Sequence, residues 1–481
     1  MLKKIPSTVK EVVGKIEKNG FEAYIVGGCV RDLIMNRNPK DWDIATNGRP
    51  EEIVKIFGED DTFYENKFFT VGIKTEEESV GIIEVTTYRT ESGYSDKRRP
   101  DKVKAAKTLE EDLGRRDFTM NAVAVSINGG IKIVDPFDGQ KDIEKKLIKT
   151  VGIPKDRFSE DALRMMRAIR FHSELGFEIE KETLSAIEKN SSLIKHVALE
   201  RIKDEFSKII LSDNPSEGVD MMYNLKLLSY VIPELEEGYG VAQNRHHIYT
   251  IYKHGLLALK YCPSKKIEVR LASLLHDIAK PKTKRGEGEF ATFYNHDHAG
   301  ARTAEKILKR LTFSNEIIEK VKVLVDNHMF YYNPEEVGES SVRKLIKKVG
   351  LENMKDLIDV RIADRLGSGV PKAKPYKLRH LEYLIDKVSK DAVSVKMLKI
   401  GGEDLMKDLK IKPGPIIGAI LDVLLAEVIE DTSKNNKKYL LSRAKELQNE
   451  NLKKLREMAR EKIEEKKEED DKEIKKKHWV K

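Results

Sequence analysis

The hydrophobic period of this 481-residue chain changes once, near residue 155, and that change limits the folds open to it. Before it, short apolar alternations flanked by Gly, Pro and Asn mark strands set between helical stretches. Residues 21–26 and 42–45 read as strands, while 70–74 and 80–88 flank the acidic turn 76–79 and read as a hairpin. Residues 122–127 and 131–134 flank Asn128-Gly129-Gly130, the residue types a tight hairpin turn requires. After the change the apolar spacing is helical, as in 161–171, 199–211, 266–279 and 304–311. The expected class is therefore α+β, with a mixed N-terminal domain followed by helical ones. A chain of this length exceeds one hydrophobic core, so two or more domains are expected. No internal repeat is evident.

Composition narrows the setting. Charged residues make up 35% and hydrophobic ones 40% of the chain, which fits a soluble, helix-rich protein. No apolar run approaches bilayer-spanning length, and the first residues lack the apolar centre of a signal peptide. A cytoplasmic location without a membrane partner is expected. Cys29 and Cys262 lie too far apart in sequence to suggest a disulfide framework or a thiolate metal cage. The net charge of +8 is unevenly spread: residues 96–107 (DKRRPDKVKAAK) are locally basic. Such a patch suits a polyanion, whose counterions are released on binding, although a solvated surface has the same composition. Residues 441–481 are dominated by Lys, Glu, Asp and Arg and read as an exposed, frayed helix or as disorder. A basic tail that touches RNA is the other reading there.

The most informative segment is Gly27-Gly28-Cys29-Val30-Arg31-Asp32 followed by Lys40-Asp41-Trp42-Asp43. Asp41 and Asp43 are two apart, so on a strand they project from one face. Two carboxylates on one face repel unless a divalent cation lies between them, and hard oxygen ligands of this kind suit Mg²⁺. Gly27 and Gly28 follow a strand and open a helix over 29–35, where bare backbone N–H groups can hold a triphosphate. A third acid, Glu84, lies within Ile82-Ile83-Glu84-Val85-Thr86, where burial is costly unless it faces a cation or a partner. Three acids around two metals support phosphoryl transfer. Taken singly, Gly-Gly is a common turn and Asp-x-Asp a common cap; their order and spacing together carry the inference.

Gly27-Gly28, Arg31-Asp32 and Asp41-x-Asp43 resemble the signature of the DNA polymerase β-like nucleotidyltransferases. The wider set resembles the bacterial class II CCA-adding enzymes and their relatives, the bacterial poly(A) polymerases, from about residue 20 to about residue 425. The resemblance implies a polymerase β-like head over 1–145 and a helical neck over 146–235. A body with a charged tail would occupy 371–481. It also implies that Arg31 and Asp117 contribute to nucleotide binding. Arg115-Arg116-Asp117-Phe118-Thr119-Met120-Asn121 looks like the family's second motif. Its chemistry agrees: two arginines can pair with triphosphate oxygens, and the Asn121 amide can reach a ribose hydroxyl. Asp135-Pro136-Phe137-Asp138-Gly139 resembles the hinge between head and neck and is given no chemistry.

Glu160-Asp161-Ala162-Leu163-Arg164 resembles the family's base-selecting motif. Asp161 and Arg164 are three apart, so on a helix they share a face. An acceptor beside a donor matches the edges of cytosine and adenine. Uracil and guanine present the reverse order and would leave buried groups unpaired. An ordinary surface ion pair has the same spacing. Arg167 and Arg170 continue the basic face towards phosphate or ribose. The stretch 199–206 resembles the next motif and is assigned a structural role. Residues 88–101 read as a mobile loop, which the family associates with switching from C to A addition. The pattern Tyr94-x-Asp96-x-Arg98-Arg99-Pro100 favours complete CCA addition. The segment 404–418 resembles the family's C-terminal body.

Seven of the eleven histidines fall between His246 and His328. His254, His276-Asp277, His296, His328 and Asp364 occur in the order seen in the HD phosphohydrolases, and Lys280 fits that pattern too. The resemblance implies an HD-type metal site within 236–370, taking a divalent transition metal through imidazole and carboxylate ligands. Such domains cleave 2′,3′-cyclic phosphates or 2′-nucleotides in related tRNA enzymes.

Three readings follow. The first is a transferase that adds C, C and A to tRNA from CTP and ATP with Mg²⁺ in the head, carrying an accessory HD site. The second is a poly(A) polymerase or a CC-only or A-only enzyme. The third is an HD nucleotide hydrolase whose N-terminal domain only binds ligand, which the acids Asp41, Asp43 and Glu84 argue against. The oligomeric state is left open by the sequence.

Overall fold

In the N-terminal region the strands are β1 (Ala23–Val26), β2 (Trp42–Thr46), β3 (Thr62–Glu65), β4 (Thr70–Lys74) and β5 (Ile82–Thr87). A short ribbon of β6 (Arg89–Ser92) and β7 (Lys102–Ala105) follows, then β8 (Ala124–Ser126) and β9 (Lys132–Val134). Seven of them form one sheet in the order β3-β4-β5-β2-β1-β8-β9. β2 and β5 run parallel, and the other neighbours are antiparallel. Both expected hairpins are present, β4 with β5 and β8 with β9. Part of the expected loop 88–101 is instead the ribbon, with Arg89 opposite Ala105 and Ser92 opposite Lys102. The Tyr94-to-Pro100 pattern lies outside the residues the structure describes.

These observations come from a computed structural model that describes residues 2–65, 69–93, 102–243, 248–370, 373–390 and 398–480. The helices of the head and neck are α1 (Ser7–Lys18), α2 (Gly28–Ile34), α3 (Pro50–Phe57), α4 (Leu109–Gly114) and α5 (Gly139–Glu144), followed by α6 (Pro154–Glu160), α7 (Leu163–Leu175), α8 (Lys181–Asn190) and α9 (Leu199–Leu211). Alternation along each strand decides what the sheet buries. Trp42 and Ile44 of β2 and Ile83 and Val85 of β5 join Val9, Val12 and Ile16 of α1 and Ile53 of α3 in one core. Full burial of a side chain such as Ile44 stabilises by roughly 1.5–3 kcal/mol. The alternate positions, Asp43 and Glu84, are thereby turned to the opposite face. There a smaller core of Val26, Ala45, Tyr88, Leu109, Leu113 and Ala124 supports α4.

Two compact units make up the chain: residues 1–326 with Ala363–Gly369, and Asn327–Ile362 with 370–481. Head, neck and most of the histidine-rich region thus pack as one unit. In the second unit, Leu405, Ile420, Leu424, Leu440 and Leu455 form a helical core. The charged tail departs from expectation. Leu452–His478 is one helix packed on Pro415–Glu430 and Tyr376–Lys390, with Leu455, Ala459 and Ile474 buried. Its few apolar residues are spaced to share a face, which composition alone hides. Among the described residues, no helix is long and apolar enough to cross a membrane.

Candidate active site

Parallel pairing of β2 with β5 puts Asp43 in register with Glu84, and Asp41 immediately precedes β2. Glu84 is exposed, so it escapes the burial cost that its apolar neighbours suggested. Asp43 is partly buried, and its carboxyl is pushed up to about 6. Burial is the largest cause; repulsion from Glu84 and Asp41 adds to it, against the attraction of Arg116. The strand-to-helix turn passes close by. Gly27 has φ +82°, and a Cβ on it would lie 3.1 Å from Arg116 Nη1 and 3.2 Å from Asp43 Oδ2. Glycine is what lets the turn approach both groups. Gly28 begins α2, and Arg31 follows within it.

The second motif is tied to this turn by a chain of polar contacts. Arg31 Nη1 donates to Asn121 Oδ1 at 3.0 Å, and Asn121 Nδ2 donates to Asp117 Oδ1 at 3.2 Å. Arg167 Nη2 reaches Asp117 Oδ2 at 2.6 Å. Burial, the largest single cause, would raise the carboxyl of Asp117, but Arg167 with Arg164 and Asn121 together hold the group down at about 2. Asp117 is therefore a buried anion that orients Asn121 and Arg167. Arg170 is directed away from the expected role. It is buried, pairs with Glu205 at 3.3 Å and Glu174 at 3.6 Å, and stacks over Phe171. It does not continue an exposed basic face, because acids of the neck enclose it. Arg115 and Arg116 both contact buried Asp112, a residue the sequence reading passed over.

The residues expected to select the base are arranged differently from the expectation of one helix face. Asp161 is not in α7: it has extended backbone at φ −134°, ψ 104°, between α6 and α7. Its Oδ1 accepts from the Leu163 N–H at 3.1 Å. Arg201 of α9 clamps the same carboxylate, Nη2 to Oδ2 at 2.8 Å and Nη1 to Oδ1 at 3.2 Å. Arg164 pairs instead with Glu160 at 2.7 Å and donates Nη2 to the Arg115 carbonyl at 3.1 Å. A short acid that can accept the backbone N–H two residues on competes with the helix, which breaks the period there. Arg201 and Glu205, one turn apart on α9, were read only as structural. The first holds Asp161 and the second meets Arg170.

A second cluster lies in the same unit. His254 on helix Ile251–Lys260, His276 at the end of Ile267–Leu275, and Asp364 offer ligand atoms all within 4.8 Å of one another. Asp277 joins them, with Oδ2 at 3.3 Å from His254 Nε2 and 3.4 Å from His276 Nε2. His296 Nε2 lies 3.4 Å from Asp277 Oδ1. All five are buried. Burial would raise the carboxyl of Asp277, but His276 and Lys280 hold it well below the carboxylate range. His328 is buried and belongs to the second unit.

A mixed sheet carrying a Gly-Gly turn, paired aspartates and an arginine motif defines a nucleotidyltransferase head. Known proteins agree. Residues 23–149 match the model for the poly A polymerase head domain. Residues 176–238 match that for the "Probable RNA and SrmB-binding site of polymerase A", and 290–444 that for a tRNA nucleotidyltransferase domain 2. A CCA-adding enzyme of Ligilactobacillus salivarius is 34% identical over 458 residues, 93% of this chain and 98% of that protein. The crystal structure of the Bacillus stearothermophilus CCA-adding enzyme in complex with CTP superposes with a TM-score of 0.61 at 25% identity, covering 92% of this chain and 98% of that one. A tRNA nucleotidyltransferase complexed with a primer tRNA and an incoming ATP analog shares the fold, with a TM-score of 0.56 at 19% identity, covering 80% of this chain and all of that one. The chain belongs to the family of CCA-adding enzymes.

Proposed function

We propose that this protein adds C, C and A, without a nucleic-acid template, to the 3′ end of tRNA from CTP and ATP, releasing pyrophosphate. The observation that carries the reading is the register of Asp43 with Glu84 beside Asp41, next to a Gly27 turn that Arg116 closely approaches. Asp41, Asp43 and Glu84 are hard oxygen donors, and burial first, then repulsion from Glu84 and Asp41, raises the carboxyl of Asp43. They fit Mg²⁺, which when bound supplies charge neutralisation and a more acidic attacking hydroxyl.

The chain's own groups account for the rest. Arg115 and Arg116 pair with triphosphate oxygens, and Gly27 and Gly28 let the phosphates approach the backbone. Asn121, held by Asp117 and Arg31, meets the ribose. Arg167, bound to Asp117, keeps that carboxylate ionised and in place. Asp161 accepts from the exocyclic amine of cytosine or adenine while Arg164 donates to the adjacent ring nitrogen. Uracil and guanine offer the opposite order, and the unpaired groups they leave behind are the source of selection. The tRNA is met through its backbone and 2′-hydroxyls by the helical regions. Work on tRNA of this kind fits a cytoplasmic enzyme. The direct test is labelled-nucleotide incorporation by Asp43→Ala and Asp41→Ala: both lose it at saturating Mg²⁺, and normal incorporation by either would refute the carboxylate assignment.

A second reading, for 236–370, is favoured by the buried convergence of His254, His276, Asp277 and Asp364. These donors suit a divalent transition metal with hydrolytic chemistry, and His296 sits beside Asp277. An HD-type phosphohydrolase accessory to the transferase follows. Loss of ion binding and of phosphodiesterase activity in His276→Ala, with nucleotide addition retained, is the expected result.

A further inference from the structure

Asp112 lies within α4, and its side chain is only 1% exposed. Four donors converge on it. Arg115 gives Nε at 3.0 Å and Nη2 at 2.8 Å to Oδ1, and the backbone N–H of Arg89 reaches the same oxygen at 3.3 Å. Arg116 gives Nη2 to Oδ2 at 3.3 Å. Burial works against the ionised carboxyl, but Arg115 and Arg116 outweigh it and keep the group below its ordinary range. The connections run onward in both directions. Arg89 is the first residue of the β6–β7 ribbon. The Arg115 carbonyl accepts from Arg164, and Arg116 Nη1 borders the Gly27 turn.

We infer that Asp112 is a positioning residue for the incoming nucleotide: one buried carboxylate fixes the forks of Arg115 and Arg116, ties them to the base of the ribbon, and so holds the triphosphate contacts in register with the base edge at Arg164. A guanidinium left alone has several rotamers, and its fork matches phosphate oxygens in few of them. Anchoring one edge of each fork on Asp112 fixes the direction in which its other edge faces. The inference rests on reading Arg115 and Arg116 as the triphosphate pair.

The test is steady-state kinetics of the full chain with Asp112→Asn, which keeps the shape and removes the charge. KM for CTP and for ATP should rise about tenfold to a hundredfold, the scale on which misplaced binding groups act. KM for tRNA should stay unchanged, and kcat should move by less than about threefold. A merely structural role would instead lower kcat and raise all KM values together. The Arg115→Ala/Arg116→Ala variant is run beside it, and adding Asp112→Asn to that background should raise KM no further. If the arginine variant raises nucleotide KM while Asp112→Asn leaves it within about twofold, the inference is overturned and the arginine reading stands. If the arginine variant itself leaves nucleotide KM unchanged, both fall. Should Asp112→Asn not fold, Asp112→Glu is read in the same assay, with a raised nucleotide KM expected and an unchanged one overturning the inference.

Discussion

Asp43 shows how a single residue trades stability for chemistry. Its carboxyl is raised to about 6 in the folded protein, above the usual carboxylate value, so the native state binds that proton more tightly than the unfolded chain does. The resulting stabilisation is fully present below the unfolded value and is lost as pH rises through about 6. Asp43→Asn should therefore melt higher than the parent protein at pH 8 without divalent ions, and the gap should close by pH 4. Equal melting curves at pH 8 would contradict the electrostatic description. Nucleotide addition in the same variant should fall at least about a hundredfold, as for loss of a preorganised electrostatic group. The spacing of Asp41 and Asp43 was legible because a strand has a period of two, and Gly27 because a strand-to-helix turn favours glycine. Asp112 was not legible: its importance comes from the convergence of Arg89, Arg115 and Arg116 in three dimensions.

At the scale of elements, the break between α6 and α7 matters most. The helical spacing read over 161–171 puts Asp161 in a helix, yet its backbone is extended and its carboxylate accepts from the first N–H of α7. Its partner Arg201 is 40 residues away, a distance that no local pattern reports. Asp161→Ala should weaken discrimination of CTP over UTP by about tenfold to a hundredfold, the value of one good base-edge pair. Competition assays with both nucleotides measure it, and unchanged selectivity would remove Asp161 from base reading. The histidine helices give a separate expectation. The ordered set was legible as a metal pattern, and the fold brings His254, His276, Asp277 and Asp364 together. Calorimetry with Mn²⁺ should detect binding in the full chain that His276→Ala weakens at least about tenfold to a hundredfold. Equal binding by both would argue for a structural cluster of buried polar residues.

For the whole molecule, the change of period near residue 155 correctly separated a mixed head from helical regions. The boundaries between compact units were harder to read, since head, neck and much of the histidine region share one unit. The tail is helical, one of its two expected forms, but charge dominates its composition and hides the buried stripe of Leu455, Ala459 and Ile474. In the proposed reading, nucleotide choice draws on acids of the sheet, the arginines that follow α4 and a base edge at the α6–α7 break, all within the first unit. The most direct measurement supplies CTP and ATP, separately and together with Mg²⁺, to tRNA transcripts lacking CCA, ending in C, or ending in CC. Completion of CCA followed by arrest is the expected result. Addition of C alone, A alone or an unlimited A tail would contradict complete CCA addition, and no incorporation at all would contradict the transferase assignment.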